Sequence, residues 1–522
     1  MEQGTSRRVS RRQLLKGAAL ILGSIPGVQI LGACGPAAAP AAATSQPAAG
    51  AVATAAPAAV ATVASAAPGA AATVAAAAPG AAATVVSVAT AAAQPVTSAQ
   101  RIVVRDHDWL QGNPGQQGDW YDAFIAKFED AHPDIKVERE WFPRNDMHAK
   151  QIALAATGQI GDTVRISLAP LVAELQIKGI VRDLDSLYQS DQQWMSNDQK
   201  QFWPGNIKTY TRQGKLWGLP IVGHPGAVQY YVNRTMVEKA GLKMPSADGT
   251  WTYDDMLGLA KGLTRSEGGR TTVYGVIPPV GDTSVNEGMV GFLRAFGGDL
   301  YDVDGKQCLL NTPESKAGLK VFADLYTSGS AYPWQPDISE QTPELFQSQK
   351  VGMAIQTSFA ASAWPDQIAK RPEPFEMEVI PNPLGPTGKH ATQVSSDGKG
   401  VTTASKNPDK AWIVLSQLYT SQRHGIERFT NGLGSPGSRF DVWDSDEFKQ
   451  KAPKLDNIAR VMVLPPAPDL LPWHYPANGR FAEVDSILIN EWVKVTLGQL
   501  DVDKFADDTA KQVQAIMDKP AV

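Results

Sequence analysis

Gly432, Gly434 and Gly437 have the Gly-x-Gly-x-x-Gly spacing of a loop whose backbone amides bind a dinucleotide pyrophosphate. In such a site the loop follows a strand and opens a helix. Here the glycines follow a predicted helix, and residues 438–441 do not open a good one. We therefore predict no dinucleotide site at this loop, and no cofactor for the chain.

Asp302, Asp304 and Gly305 begin like the calcium-binding loop of an EF-hand, which needs oxygen ligands at set positions and a glutamate at the twelfth. The residues that follow lack those ligands, and Pro313 stands at the twelfth position, so a turn is the prediction. The sequence also lacks the His-Glu-x-x-His, Gly-x-Ser-x-Gly and Walker A patterns. We predict neither a metal site nor catalytic residues.

Asp108 and Trp109 stand where a ligand contact is expected. Residues 102–104 predict a short buried strand with these two residues at its end, and apolar positions over 121–128 then recur at helical spacing. Residues 135–141 predict a second strand. This β-loop-α-β unit predicts a parallel strand pair with Trp109 at its carboxyl edge, where open α/β sheets bind ligands.

The same alternation of strands and amphipathic helices continues to the end of the chain and indicates an α/β fold in more than one lobe. Further strands are predicted at 163–168, 228–232, 351–355 and 378–380, and further helices around 171–178, 319–325, 408–419, 484–492 and 505–516. Thr252 and Asp255 predict a capping box, with Trp251 before it as a hydrophobic staple.

Residues 1–33 have the features of an export signal: a basic region, a short apolar run and a small-residue site. The pair Arg11-Arg12, followed by Leu-Leu-Lys, resembles a twin-arginine signal. Residues 31–34 (LGAC) resemble the bacterial lipobox, which predicts that Cys34 is lipidated and becomes the mature N-terminus. Two acyl chains on one cysteine suffice for stable anchoring. Cys308 would then remain alone, as a half-buried filler without a disulfide partner.

Residues 34–100 predict a disordered tether. They contain no charged residue, and an eleven-residue repeat rich in alanine begins at Ala56, Ala67 and Ala78. A proline in every repeat opposes a continuous helix, and the small side chains bury too little area to fold. As a flexible coil the segment would reach on the order of 45 Å.

The net charge argues against a nucleic-acid partner. The whole chain carries 48 basic and 53 acidic residues, and loss of residues 1–33 removes five basic residues and one acidic residue. The mature chain would therefore have a net charge of about −9, whereas nucleic-acid binding favours a clustered basic face.

Residues 217–251 are punctuated by glycine and proline, which indicates a segment that joins two bodies of structure. Several segments, in a consistent order along the chain, then resemble the extracellular solute-binding proteins of ABC importers that capture sugars and oligosaccharides. They are 126–137 (AKFEDAHPDIKV), 218–220 (GLP), 231–234 (YVNR), 239–241 (KAG), 250–251 (TW), 346–353 (FQSQKVGM) and 405–412 (SKNPDKAW). Gln349 departs from the glycine that is usual in the sixth of these.

The resemblance implies an α/β, two-lobed periplasmic-binding-protein-like fold, with discontinuous lobes joined by a multi-strand hinge that closes on ligand. Lobe one would comprise 101–221 plus 383–425, and lobe two 222–382 plus 426–522. The expected crossings between the lobes lie near 220–226, 381–383 and 425–434.

The resemblance also implies a cleft that binds a neutral sugar of more than one unit. Sugars present apolar C–H faces edged by hydroxyls, which aromatic platforms and hydrogen-bonding groups recognise. The expected contacts are Asp108, Trp109, Ser167, His224, Ser358, Phe359, Arg439, Trp473 and Tyr475. Phe359 stands where relatives tend to have tryptophan, which keeps stacking and loses the indole donor.

The implied function is that of a monomeric receptor, anchored through Cys34 at the extracytoplasmic face of the cell membrane. It would deliver its ligand to the transmembrane subunits of an ABC permease and perform no chemistry. Two alternatives stay open: a lipoprotein that presents its ligand to a sensor, and a lipid-anchored glycan hydrolase with a carboxylate pair.

Overall fold

Two five-stranded sheets organise the computed structural model, which describes residues 101–109, 114–224, 229–279, 285–335, 338–390, 392–394, 397–464 and 470–522. The strands are β1 (Ile102–Trp109), β2 (Ile135–Phe142), β3 (Thr163–Ile166), β4 (Thr211–Arg212), β5 (Lys215–Leu216), β6 (Leu219–Pro220), β7 (Gln229–Asn233), β8 (Arg265–Glu267), β9 (Arg270–Ile277), β10 (Val351–Gln356), β11 (Met377–Ile380), β12 (Thr392–Gln393), β13 (Gly398–Val401) and β14 (Leu470–Leu471). The order is β2-β1-β3-β13-β6 in the first sheet and β11-β7-β10-β9-β8 in the second.

Helices cover both sheets. The α-helices span Pro114–Ala131, Arg144–Ala156, Val172–Ile177, Asp185–Tyr188, Gln192–Ser196, Pro204–Thr209, Arg234–Lys239, Tyr253–Leu263, Val285–Ala295, Pro313–Thr327, Ile338–Gln347, Phe359–Ile368, Pro408–Ile413, Gln422–Thr430, Phe440–Trp443, Asp446–Lys451, Asp456–Ile458, Phe481–Thr496 and Val502–Met517. Short 3-10 turns span Ala169–Leu171, Asp198–Gln201 and Pro453–Leu455, and π-helical segments span Val414–Tyr419 and Ala459–Val463.

The first sheet confirms the predicted parallel unit. β1 pairs in parallel with β2 and with β3, and helix Pro114–Ala131 lies between β1 and β2 in the chain. β13 runs antiparallel to both β3 and β6. The prediction that β1 ends near Val104 is wrong, because the strand continues to Trp109 and contains Asp106 and Asp108.

The second sheet has β10 at its centre. β7 runs antiparallel to both β10 and β11, while β9 runs parallel to β10. Apolar side chains pack on both of its faces in two core clusters. In the first cluster, Thr252 and Asp255 form the predicted capping box of helix Tyr253–Leu263. The α/β prediction is confirmed.

Two segments carry the chain from one sheet to the other. The first connection, residues 221–228, leads from β6 to β7, and the second connection, residues 381–397, leads from β11 towards β13. Each sheet therefore forms the centre of its own lobe. The third expected crossing is helical, not a strand: Tyr419 packs in the core of the first sheet, whereas Ile426 and Phe429 of helix Gln422–Thr430 pack in that of the second.

The lobe boundaries stay predictions. Trp473, Tyr475 and Phe481 pack in the core of the first sheet, although 426–522 was assigned to lobe two. The expected signal, the lipobox with Cys34 and the tether lie outside the described residues. Among the residues that are described, no helix has the length and apolar character needed to cross a bilayer.

The loop at 302–307 is a turn, as predicted. The Asp302 carboxylate accepts the backbone amides of Lys306 (2.6 Å) and Gln307 (2.8 Å), so its charge stabilises the turn itself. Gly305 has φ +64°, and a Cβ there would lie 2.0 Å from the carbonyl oxygen of Tyr475. The close approach explains the glycine. Cys308 is half-buried, and burial raises the pKa of its thiol to about 11.

Candidate functional site

Two connections join one edge of the first sheet to one edge of the second, and we call the junction between these edges the cleft. At the carboxyl edge of the first sheet, Trp109 ends β1, Ser167 follows β3 and Asp397 precedes the antiparallel β13. At the second sheet, Ser358 follows β10 beside the start of β7. Because both connections run between these edges, residues at the edges lie at the junction of the lobes, where α/β proteins bind ligands.

Four of the predicted ligand contacts lie at this junction. Three of them are partly exposed, and the fourth, Trp109, has one face of its ring packed against an arginine. Ser167, His224 and Phe359 are half-buried. Trp109 is 5% exposed, and the guanidinium carbon of Arg165 lies 4.5 Å from its ring centroid. An arginine stacked on one indole face holds the ring plane. As ligand contacts these four stay predictions.

The other five predicted contacts are buried and bonded within the protein. The partners are Arg165 and Lys399 for Asp108, Gln229 for Ser358, Asp198 and Asp441 for Arg439, Asn286 for Trp473, and Thr209 for Tyr475. Trp473 and Tyr475 are 1% and 9% exposed, because their rings pack in the core of the first sheet, and their contact with a ligand stays a prediction. Each of the five has a structural role that the sequence did not indicate.

The loop 472–475 connects the two lobes. The hydroxyl of Thr209, beside the first sheet, accepts the backbone amide of Trp473 (2.9 Å). The indole of Trp473 donates in the opposite direction, to Asn286 (3.3 Å) of helix Val285–Ala295, which packs in the second lobe. These two hydrogen bonds hold the loop between the lobes.

A row of buried charges crosses the first sheet beside Trp109. Asp106 and Asp108 alternate along β1, Arg165 lies on β3, and its register partner Lys399 lies on β13. All four side chains are at most 2% exposed. Two cations placed directly opposite each other would repel, and the interleaved aspartates offset that repulsion.

Lys399 holds both aspartates. Its Nζ lies 2.5 Å from Asp106 Oδ1 and 2.9 Å from Asp108 Oδ2. Asp106 also accepts hydrogen bonds from the hydroxyls of Thr163 (2.5 Å) and Tyr419 (2.6 Å). A buried carboxylate is tolerated only with such partners, so Asp106 has an architectural role.

Arg165 extends the row to the second connection. It donates to Asp108 Oδ1 (3.0 Å) and to Asp397 Oδ2 (2.6 Å). Burial alone would raise the pKa of Asp108, but Lys399 and Arg165 outweigh burial and hold that pKa below its usual value. Asp108 is therefore an ionised acceptor at neutral pH.

Two further cations lie near this row. Arg428, 6% exposed on helix Gln422–Thr430, is near enough to interact electrostatically with Asp108 and Asp397. Arg139 on β2 is the register partner of Asp106. Sequence reasoning missed this row, although acids two residues apart share one face of a strand.

His424, next to this row, makes the fold sensitive to acid. Its ring is 1% exposed and lies 3.3 Å from the Tyr121 hydroxyl. Burial, with Arg428 as the next cause, lowers the pKa of His424 well below 6.5. A histidine that must be neutral when folded contributes full stability above pH 6.5 and loses it as the pH falls below that value.

We therefore expect the free energy of unfolding of the full chain to fall between pH 7 and pH 5, by up to about 1.4 kcal/mol per pH unit for this one proton. His424→Gln should remove that part of the pH dependence. Above pH 7 the substitution should change the free energy of unfolding by an amount that does not vary with pH. Urea unfolding at several pH values measures both. An unchanged slope in the variant would contradict the assignment.

Comparisons with known proteins agree with this architecture. The family model described as bacterial extracellular solute-binding protein matches residues 123–456. A binding protein of Brucella abortus is 26% identical over 404 residues, covering 77% of this chain and 90% of its own length. The arabinooligosaccharide-binding protein of Bacillus subtilis is 24% identical over 355 residues, covering 65% and 74%.

Solved structures show the same fold. An ABC substrate-binding protein of Listeria monocytogenes in complex with cycloalternan superposes with a TM-score of 0.65 at 21% identity, over 80% of this chain and 99% of its own. The maltose-bound MalE3 of T. maritima has a TM-score of 0.62 at 19% identity, over 79% and 99%. The two-lobed architecture predicted from the sequence is confirmed.

Proposed function

The chain belongs to the bacterial extracellular solute-binding proteins, and from that premise we propose that it captures a neutral sugar of more than one unit by closure of its two lobes. The observation that supports the proposal is that both connections join the same edge of each sheet. Trp109 and Ser167 follow or end strands at that edge of the first sheet, and Phe359 follows β10 at that edge of the second, so a ligand between the lobes would meet aromatic rings from both.

The cleft residues form two groups in this proposal. Trp109, Ser167, His224 and Phe359 contact the ligand. Asp108, Ser358, Arg439, Trp473 and Tyr475 form the wall behind them and hold the contacting residues in place, since their polar atoms already have protein partners. A preorganised wall lowers the cost of ordering on binding.

The ion pairs beside Trp109 support a neutral ligand. Asp106, Asp108 and Asp397 each have a cationic partner within the protein, Lys399 or Arg165. A charged ligand placed there would compete with these pairs and would lose its hydration. The names of relatives that bind arabino-oligosaccharide, cycloalternan and maltose support a sugar.

The same carboxylates support binding without chemistry. A glycosidase needs one carboxyl group whose raised pKa keeps it protonated as a general acid. Beside Trp109 the opposite holds, because Lys399 and Arg165 outweigh burial and lower the pKa of Asp108. Asp108 is therefore suited to an architectural role and not to acid catalysis.

A thermal-shift panel tests the function. The full chain, purified in detergent, is heated with maltotriose, mannotriose, arabinotriose and cycloalternan, and with amino acids and spermidine as the contrasting set. A ligand at a hundredfold excess over its Kd should stabilise the fold by about 2.7 kcal/mol. Stabilisation by an amino acid or spermidine, with none by any sugar, would refute the proposal.

Trp109 provides the sharper test of the site. With the sugar that gives the largest shift, Trp109→Ala should weaken binding about 10- to 100-fold, because a stacking platform is lost. Trp109→Phe should keep most of the affinity. Trp217→Phe is the matched control, since Trp217 is half-buried and donates its indole N–H to Arg212, away from the cleft. Sugar affinity is measured by calorimetry. If the wild-type protein and all three variants bind with equal affinity, Trp109 is not a ligand contact.

We also propose that Cys34 is lipidated after cleavage of a twin-arginine-type signal, and that residues 34–100 hold the lobes near the extracytoplasmic face of the membrane. The receptor would deliver its sugar to the transmembrane subunits of an ABC permease as a monomer. Radioactive palmitate should label wild-type cells and not Cys34→Ala cells. Equal labelling would refute the anchor while leaving sugar binding untouched.

A further inference from the structure

Asp397 ties both connections to the first sheet. Its backbone carbonyl accepts the amides of Ile221 (2.9 Å) and Val222 (3.2 Å), which belong to the first connection. The residue itself is the last of the second connection. Its carboxylate, 16% exposed, accepts the guanidinium of Arg165 at 2.6 Å. Asp397 thus joins the two connections through its backbone carbonyl and joins them to the first sheet through its side chain.

Arg165 joins that anchor to the aromatic platform. Its planar group reaches Asp397 with one nitrogen and Asp108 with another, and it lies over the ring of Trp109 at 4.5 Å. A guanidinium can make these three contacts at once because it is flat and presents several N–H groups in a fixed plane. An ammonium can make one or two of them, without the flat stacking surface.

We propose that Arg165 and Asp397 are a positioning pair that couples the hinge to the ligand platform: they hold the indole plane of Trp109 and the first connection in one arrangement. The inference rests on the proposed function, because Trp109 is the proposed platform. Neither residue need touch the sugar. When the connections move as the lobes open, Asp397 moves with them, and Arg165 passes that movement to Trp109.

Two conservative variants test the pair without emptying the core. Arg165→Lys keeps the charge balance and loses the stacking plane. Asp397→Asn keeps the backbone carbonyl and a side-chain acceptor, and its site is partly solvated, so folding should survive. Arg139→Lys is the matched control: Arg139 also covers an aromatic ring, that of Trp141 at 4.2 Å, and pairs with Asp122 at 2.7 Å.

The environment of the Trp109 ring is measured by fluorine NMR of the full chain labelled with 5-fluorotryptophan, in the absence of sugar. Trp109→Phe identifies the Trp109 resonance among those of the 13 tryptophans. In Arg165→Lys and in Asp397→Asn this resonance should move towards the unfolded-chain position, and the double variant should move it no further than the larger single shift. In Arg139→Lys it should stay in place.

The stability of the first connection is measured by hydrogen exchange of peptides that contain Ile221 and Val222. Arg165→Lys and Asp397→Asn should each speed exchange there about tenfold, because the bond that holds residue 397, whose carbonyl accepts these two amides, is weakened. An unshifted Trp109 resonance, or unchanged exchange in folded Arg165→Lys and Asp397→Asn, would overturn the coupling. Neither measurement uses a sugar. If the sugar panel fails, the proposed function is refuted, but these two measurements still test whether Arg165 and Asp397 couple the hinge to Trp109.

Discussion

Lys399→Met should lower the free energy of unfolding by about 3–5 kcal/mol, the cost of removing one partner from a buried ion pair. The ammonium is fully buried between Asp106 and Asp108. Methionine fills a similar volume but leaves both carboxylates without their shared cation. Thr163 and Tyr419 still donate to Asp106, which limits the loss. Urea unfolding followed by circular dichroism measures the change.

A half-buried lysine whose partner is exposed to solvent is the control. Lys410 pairs with Asp134 at 2.8 Å on the surface, where an ion pair is worth at most about 1 kcal/mol. Lys410→Met should therefore change little. Adding Asp106→Asn to Lys399→Met should recover part of the loss, because one uncompensated charge disappears. If Lys399→Met costs no more than Lys410→Met, the row of charges does not stabilise the first lobe as we infer.

Gly223→Ala should impair sugar binding and uptake, because the added methyl group has no room in the first connection. A Cβ at Gly223 would lie 2.6 Å from Ser438 Cβ and 2.8 Å from the Ser438 backbone nitrogen. Atoms cannot approach that closely, so the first connection must move away from residues 437–439. Overpacking of this kind costs about 1–3 kcal/mol, and here the strain falls on the hinge.

The expected result is a chain that folds but closes poorly. Thermal unfolding should show a small decrease, whereas the affinity for the sugar chosen by the panel should fall about tenfold or more. Gly258→Ala is the control, because a Cβ at Gly258 meets no atom within 4 Å and the residue is inside helix Tyr253–Leu263. That change should stabilise by about 0.5–1 kcal/mol. Normal affinity and uptake in Gly223→Ala would place the hinge elsewhere.

Local pattern was enough for much of the framework. The parallel β1–β2 unit, the capping box at Thr252 and the turn at Asp302 were all predicted from residues close together in the chain. Such features depend on periodicity and on side-chain bonds to neighbouring backbone, which act over a few residues. Glycine and proline likewise marked the first connection, since they restrict or free the backbone wherever they stand.

The candidate site was harder to predict. Sequence reasoning placed Trp109 and Phe359 at strand ends, and in the structure they end or follow strands at the edges that the two connections join. It also predicted Trp473 and Tyr475 as ligand contacts, and both rings are buried in the core of the first sheet. Whether an aromatic ring faces a cleft or a core depends on which helix covers it, and the residues flanking it do not encode that choice.

Residue order alone therefore predicted an α/β chain of more than one lobe, an export signal and a repetitive uncharged segment, because composition and period are local properties. The family resemblance supplied the two-lobed architecture. Tertiary structure alone decided the pairing of Lys399 with Asp106 and of Arg165 with Asp397, which are separated by 293 and 232 positions. A buried charge is tolerated only beside its counter-charge, and strand register decides which charges become neighbours. The row beside Trp109 exists because β13 returns from the second lobe to lie against β3.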